Sequence, residues 1–407
     1  MSSYAAVLRT PHASRTFGAA LVGRLSYGTV SLSLVLAVKD SSGSFTVAGT
    51  AMALFGATSV LLSPARAALV DRYGPRRALV PMAGLYAVLL AVLALVTREP
   101  GAPGPLLWAL AALAGMCTPP LGPTMRTLWS QLLPDRRMAQ RAYSLDGVAE
   151  ELLFVSGPLL VGVLVVYAEP AAGVALSAVL VLTGTLALVS SPVPFPVRPR
   201  AEREKRTRAR TGPRGLGQPV LTGAGVGLCL GGLDLLAIAF TEDRHQPGAV
   251  AWILAALSAG SAVGGLVNGA VTWRLPARPR LSLLCAVLGL ALAAAGLAPN
   301  VYVLGAAVTV AGLFVAPALT TAYLIADETA APGARTQAGA WVNTAVNAGM
   351  SGGTAAVGVL VGRLPLALCF ALAALPVLLC AAYGRRRVLG GEPGPEEAVD
   401  ASGGQPS

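Results

Sequence analysis

The stretch Asp71-Arg-Tyr-Gly-Pro-Arg-Arg77, followed at once by Ala78-Leu-Val-Pro-Met-Ala-Gly-Leu-Tyr-Ala-Val-Leu-Leu-Ala-Val-Leu-Ala-Leu-Val-Thr97, decides how this chain folds. Three arginines crowd the first seven residues, and no charge falls in the next twenty. An α-helix rises about 1.5 Å per residue, so twenty apolar residues cross the roughly 30 Å hydrocarbon core of a bilayer. The same alternation repeats outward in both directions. Apolar runs fall at about 17–38, 45–69, 78–97, 105–130, 142–168 and 171–190. A second set falls at 219–240, 248–272, 281–298, 301–325, 337–361 and 365–383. Twelve spans imply an all-α membrane protein with twelve transmembrane helices in two six-helix bundles, residues 1–191 and 219–384.

Composition agrees with this. The chain is 55% hydrophobic and only 12% charged, about half the charged fraction of a soluble domain. Tryptophan spacing also fits: Trp108 and Trp129, like Trp252 and Trp273, are 21 positions apart. About 31 Å of helix separates each pair, as expected of aromatic anchors at the two membrane interfaces.

Of the 30 basic residues, 23 lie in alternate loops and at the termini, and only Lys39, Arg98, Arg244 and Arg363 lie in the opposite loops. Cytoplasmic loops carry the excess of Lys and Arg, which puts both termini in the cytoplasm. The net charge of +11 is thereby assigned to topology rather than to nucleic acid. Lysine is nearly absent, with Lys39 and Lys205 alone. That bias suggests a high-GC bacterial genome, hence the bacterial inner (cytoplasmic) membrane. The first span has no cleavage site after it and is expected to be retained.

The five cysteines all fall inside spans and read as small apolar residues, while both histidines, His12 and His245, fall outside. No metal site, catalytic triad or nucleotide-binding loop is expected. Residues 192–218 begin with Pro192, Pro194 and Pro196 and hold eight basic residues, which reads as a cytoplasmic linker lying near anionic headgroups. The tail, residues 385–407, is rich in Gly, Pro and Glu after Arg385-Arg-Arg387 and is expected to be disordered. A shift of 198 residues lays Ser63–Asp71 over Ser261–Gly269 and Arg76 over Arg274, which supports a parallel internal repeat.

An ionisable group in hydrocarbon costs several kcal/mol unless it is paired or hydrated, so each one needs a reason. Arg24, Arg66 and Arg126 lie near the inner end of the first half, and Asp146, Glu150 and Glu151 lie at similar depth in the fifth span. Asp146 and Glu150 stand four residues apart, on one helix face. Two readings stand: ion pairs that lock the helices, or a carboxylate, Glu150 or Glu151, that exchanges a proton. Neighbours on a helix diverge by about 100°, so only one of these two faces a given partner directly. Asp234, in the seventh span, has no basic residue at its depth. It reads as a proton carrier or cation-binding acid, or as a neutral carboxyl held by a hydroxyl. Asn343 and Asn347 either line a substrate path or join helices. Pro119, Pro120 and Pro123 are expected to kink the fourth span, and Pro317 the tenth.

The loop Asp71-Arg72-Tyr73-Gly74-Pro75-Arg76-Arg77 resembles motif A of the major facilitator superfamily, G-x-x-x-D-R-x-G-R-R. Ala67 stands at its leading Gly and Pro75 at one basic position. Gly157-Pro158-Leu159-Leu160-Val161-Gly162 is similar to the core of motif C, which marks drug–proton antiporters in that superfamily. The antiporter arginine of the fourth span is missing, since Ala111 precedes Gly115 at its spacing. The resemblance implies a pseudo-symmetric twelve-helix bundle with a central cavity, working by alternating access. Asp71, Arg72, Gly74, Arg76 and Arg77 would form a gate at the inner surface, and Gly157, Pro158 and Gly162 a hinge. Asp71 would accept bonds from neighbouring arginines or from a facing helix N-terminus. The same charges would also serve simply to set topology.

The function this supports is secondary active transport: proton-coupled efflux of small, partly hydrophobic molecules. The proton gradient would be the energy source, with no cofactor. Expected partners are the substrate and the lipid bilayer, with the chain acting as a monomer. An importer of a sugar or metabolite, or a sensor or assembly protein on the same scaffold, are the alternatives. No catalytic pair of side chains is present.

Overall fold

The computed structural model describes residues 4–133, 135–191, 213–246, 248–331 and 333–389. Fifteen α-helices account for most of them. In the first half these are α1 (Tyr4–Arg9), α2 (Ala13–Ser42), α3 (Phe45–Leu61), α4 (Ser63–Tyr73), α5 (Pro75–Val96), α6 (Gly104–Cys117), α7 (Leu121–Leu132), α8 (Arg136–Tyr167) and α9 (Pro170–Val189). The second half has α10 (Pro213–Asp243), α11 (Ala249–Ala270), α12 (Ala277–Ala295), α13 (Val301–Thr329), α14 (Arg335–Leu360) and α15 (Leu366–Leu389). Each expected span meets one helix or one broken pair. Most of the stretch read as a linker lies outside the described residues, and α10 begins within it at Pro213. Residues 390–407 of the tail also lie outside the described residues.

The breaks have local causes. In the fourth span, Pro119 and Pro120 supply no N–H for the helix ladder, so α6 ends at Cys117 and α7 restarts at Leu121. The second span bends by 44° between α3 and α4, with Pro64 in the first turn of α4. Pro317 is taken inside a continuous α13. Gly74 closes α4 with a positive φ of 83°, which side chains disfavour, and Pro75 then opens α5.

Ten segments are long and apolar enough to cross a bilayer, the α6–α7 pair counting as one, and bent α3–α4 makes an eleventh. The twelfth, α14, is 26 residues long but carries Asn343, Thr344, Asn347, Ser351 and Thr354. It gains its place by packing backbone to backbone on α10: a side chain at Gly349 or Gly353 would collide with the Leu228 main chain, and one at Gly227 with that of Val346. Gly28 of α2 and Gly157 of α8 are in similar main-chain contact in the first half. Gly162, by contrast, has open space where a side chain would stand, and Pro158 is exposed. Together these elements make up the twelve spans expected, ten of them long and apolar by themselves.

Trp129 departs from the sequence expectation. It is fully buried, 5.3 Å from Phe17 between ring centroids, so it is a core residue and not an interfacial anchor. Spacing along one helix does not reveal which face meets lipid. Trp273 likewise lies beyond the end of α11, where its indole N–H donates to Asn268 at 3.0 Å.

Each half buries an apolar core of its own, and the two halves meet chiefly at one face. That face carries the α4–α5, α7–α8, α11–α12 and α13–α14 turns and most of the arginines, and is here termed the basic face. Across it Thr127 meets Thr336 at 3.2 Å, Ser130 donates to Asp327 at 3.3 Å, and Arg136 donates to Glu328 at 2.5 Å. Deeper in, Thr344 donates to Val60 O at 3.1 Å and Ser261 donates to Glu151. Among the described residues, no hydrogen bond or ion pair between the halves lies farther from the basic face than these two. Towards the opposite face α8 turns exposed apolar side chains outward, Phe154 at 60% and Leu159 at 66% among them. The polar links between the halves thus gather at and just behind the basic face.

Candidate functional site

The centre of the closed end is a compact set of charges. Arg24 of α2 reaches Asp146 Oδ1 at 2.7 Å and Glu150 Oε2 at 3.1 Å, both on α8. Arg126 of α7 reaches Asp146 Oδ2 at 3.1 Å and also pairs with Glu150. Two guanidinium groups thus grip two carboxylates that the i,i+4 spacing stacks on one face of α8. Asp146 is wholly buried, and Glu150 keeps 28% of its side chain exposed. Pairing offsets the cost of withdrawing four charges from water, a cost no single one of them could bear.

The second half reaches this cluster through one side chain that sequence reasoning did not single out. Tyr323 of α13 lies under the Arg126 guanidinium at 3.9 Å, a cation–π contact. Its hydroxyl donates to Asn343 Oδ1 at 3.3 Å, and Asn347 donates to Asn343 O at 2.8 Å. Tyr143 also donates to Arg126 O at 3.0 Å. Arg126, Tyr143, Tyr323, Asp327 and Arg335 surround a space of only about 10 Å³, barely enough for one water.

Two residues expected in the ion-pair cluster stand elsewhere. Arg66 makes no ion pair among the described residues. It donates to Gly115 O at 2.5 Å, to Met116 O at 2.9 Å and to Ser59 O. These carbonyls belong to the ends of α6 and α3, where helix breaks leave acceptors without an N–H. Arg66 is a cap on two broken helices, and the cation suits their negative ends. Glu151 points away from Glu150, across the seam, to accept from Ser261 of α11. Its second oxygen, Oε2, is buried without a partner.

Asp71 accepts the backbone N–H groups of Thr336 at 3.3 Å and Gln337 at 2.8 Å. These belong to the first turn of α14, whose partial positive charge favours a carboxylate. The helix N-terminus, rather than a neighbouring arginine, is its partner. Arg72 lies over Tyr73 at 5.2 Å, and Arg76 and Arg77 are exposed on the basic face. Asp234 on α10 is half-buried, joins none of these groups, and has no hydrogen bond or ion pair among the described residues.

No group of His, Cys, Asp and Glu among the described residues is arranged to hold a metal ion. What the arrangement can do is hold the two halves together at one end by bonds that depend on charge. Of the signals for it, depth along the spans found Arg24, Arg126, Asp146 and Glu150. Ser261 and Tyr323 carry no charge and gave no comparable signal.

Comparison with known proteins bears on what such a bundle does. The family model of the Major Facilitator Superfamily matches residues 16–241 and again 220–405, one match for each half. A bacterial homologue of the iron transporter ferroportin, crystallised in an outward-facing state, is similar with a TM-score of 0.73 at 14% identity, covering 92% of this chain and 98% of that one. The human organic anion transporter MFSD10 is similar at 0.69 and 16% identity, over 94% and 100%. The E. coli fucose:proton symporter follows at 0.66 and 13%, over 93% and 99%. No curated protein matches by sequence. Two family matches, one on each half of a twelve-helix bundle, make this chain a multi-pass membrane transporter, not an enzyme, and it belongs to the major facilitator superfamily.

Proposed function

We propose that this chain exports small, partly hydrophobic molecules across the bacterial cytoplasmic membrane in exchange for protons. The basic face would lie in the cytoplasm, as the distribution of arginines argues, so the bonds across it would hold the inner end of the bundle shut. The observation that carries this reading is the bond from Ser261 to Glu151, the innermost polar link between the halves on the α8 side.

A charge-assisted hydrogen bond is roughly twice as strong as a neutral one. With Glu151 ionised, the bond holds the inner end shut. A proton arriving from the outer side weakens it and favours opening inward, where the proton leaves. Coupling of this kind requires only that the two conformations differ in proton affinity. Asp234, without a partner among the described residues, is a second carboxyl available to a proton or to a cationic substrate. The apolar surface of outer α8 suits a partly hydrophobic substrate better than a sugar, which calls for convergent polar groups.

The test is transport by the purified protein in liposomes, with a panel of amphipathic dyes and a sugar panel. Dye movement driven by an imposed pH gradient, lost in Glu151→Gln while dye exchange persists, supports the proposal. Gradient-driven sugar uptake, or dye movement unaffected by Glu151→Gln, contradicts it.

A further inference from the structure

The seam at the basic face has two edges related by the internal repeat, and they are chemically unlike. At one edge Asp71 meets the first turn of α14. The 198-residue shift places Gly269 at the counterpart of Asp71, so the other edge lacks that carboxylate. There the first turns of α8 face the end of α11 directly: Gln140 donates to Asn268 O at 2.5 Å and Arg141 Nε to Gly269 O at 3.1 Å.

A cleft of about 380 Å³ opens at this second edge. Arg136, Arg137 and Arg141 line it from the first half, and Arg274 and Arg280 from the second. Glu328 is the one acid among the lining residues, and Arg136 already engages it at 2.5 Å. Arg280 is 4% exposed; one of its terminal nitrogens donates to Gln140 at 3.0 Å, but its Nε has no hydrogen-bond partner. The contrast with the Arg24–Arg126 cluster, where two acids balance two bases, is plain. Here five arginines from the two halves line one cleft with a single acid among them.

We propose that this cleft binds a phosphate-bearing anion, the headgroup of an anionic lipid or a soluble phosphate ester, which bridges arginines of both halves. The anion would stand in for the carboxylate that Asp71 supplies at the other edge. Guanidinium groups match phosphate oxygens in geometry as well as charge, and the cleft lies on the face where arginines meet headgroups. Because its walls come from both halves, the site is complete only when the basic face is closed. Its ligand therefore favours that state, a consequence that rests on the transport reading above; binding itself does not.

The full-length protein in uncharged detergent is titrated with inorganic phosphate at constant ionic strength, with chloride as the exchanged ion, and thermal stability and calorimetry are recorded. The protein is then compared in nanodiscs of phosphatidylcholine with and without phosphatidylglycerol. Saturable phosphate binding or stabilisation by phosphatidylglycerol is expected, weakened at least tenfold in the Arg137→Gln, Arg274→Gln double variant. Both positions are exposed, and the variant's melting temperature without ligand checks its fold. If phosphatidylglycerol displaces phosphate, the occupant is a lipid; if phosphate binds equally in both discs, it is a soluble ester. A response to neither beyond that to chloride and phosphatidylcholine, or an unchanged response in the double variant, overturns the proposal. No transport is measured, so that failure would leave the export reading standing.

Discussion

The carboxylate of Asp71 at the end of α4 accepts the backbone N–H of Gln337 at 2.8 Å in the first turn of α14, joining one half of the transporter to a helix terminus of the other. A charge beside a helix N-terminus is worth about 0.3–1 kcal/mol near a surface. Asp71→Asn keeps an acceptor and loses the charge. The ratio of closed to open molecules should fall by roughly two- to fivefold, read by spin-label distances between exposed positions Tyr73 and Gly333. An unchanged distance distribution would mean that Asp71 only sets topology.

The cluster of Arg24, Arg126, Asp146 and Glu150 is buried and balanced, so its members act as a unit. Removing one partner leaves an uncompensated buried charge, at a cost of about 3–5 kcal/mol. Arg126→Gln should therefore lower the melting temperature steeply, and Arg126→Gln with Asp146→Asn less than the sum of the two. Additive losses in that cycle would show that the groups are not coupled.

Arg66 is expected to behave differently. Its three carbonyl partners lie at helix breaks, and hydrogen bonds to a charged group contribute about 1.5–3 kcal/mol each. Arg66→Met should lower stability markedly, while transport per folded molecule keeps its pH dependence. A shifted pH profile with normal stability would return Arg66 to the proton pathway.

Asp234 has no polar partner among the described residues, so Asp234→Asn removes no interaction. Its melting temperature should stay within the shift that about 0.5 kcal/mol produces. Gradient-driven export should fall if this carboxyl carries a proton or a cationic substrate. Loss of stability would instead reveal a structural partner.

The spans were legible because bilayer thickness fixes the length of an apolar run, and even α14, with its two asparagines, was found by position between loops. Depth counting also set Arg24 level with Glu150 and placed Arg126 and Asp146 nearby, since charges in lipid must meet at one level; that Arg24 also grips Asp146 appears only in the structure. It failed for Arg66, whose partners exist only because α3 and α6 break nearby, and no charge pattern marks a bare carbonyl. It failed for Trp129, where 21-residue spacing fits both a lipid-facing and a buried ring. Glu151 was named, but its partner Ser261 depends on which helix of the other half passes by. Local sequence does not hold that information.

The most direct test of the central claim is the distance across the basic face, between spin labels at Tyr73 and Gly333 in nanodiscs, measured as pH is lowered. Ionised Glu151 holds the seam and protonated Glu151 does not, so the closed population should be greatest at high pH and shrink on acidification. Glu151→Gln should be more open than wild type at high pH and insensitive to pH. A wild-type distance that ignores pH, or a Glu151→Gln protein as closed as wild type at high pH, would contradict the claim that this carboxylate couples protons to the movement of the halves.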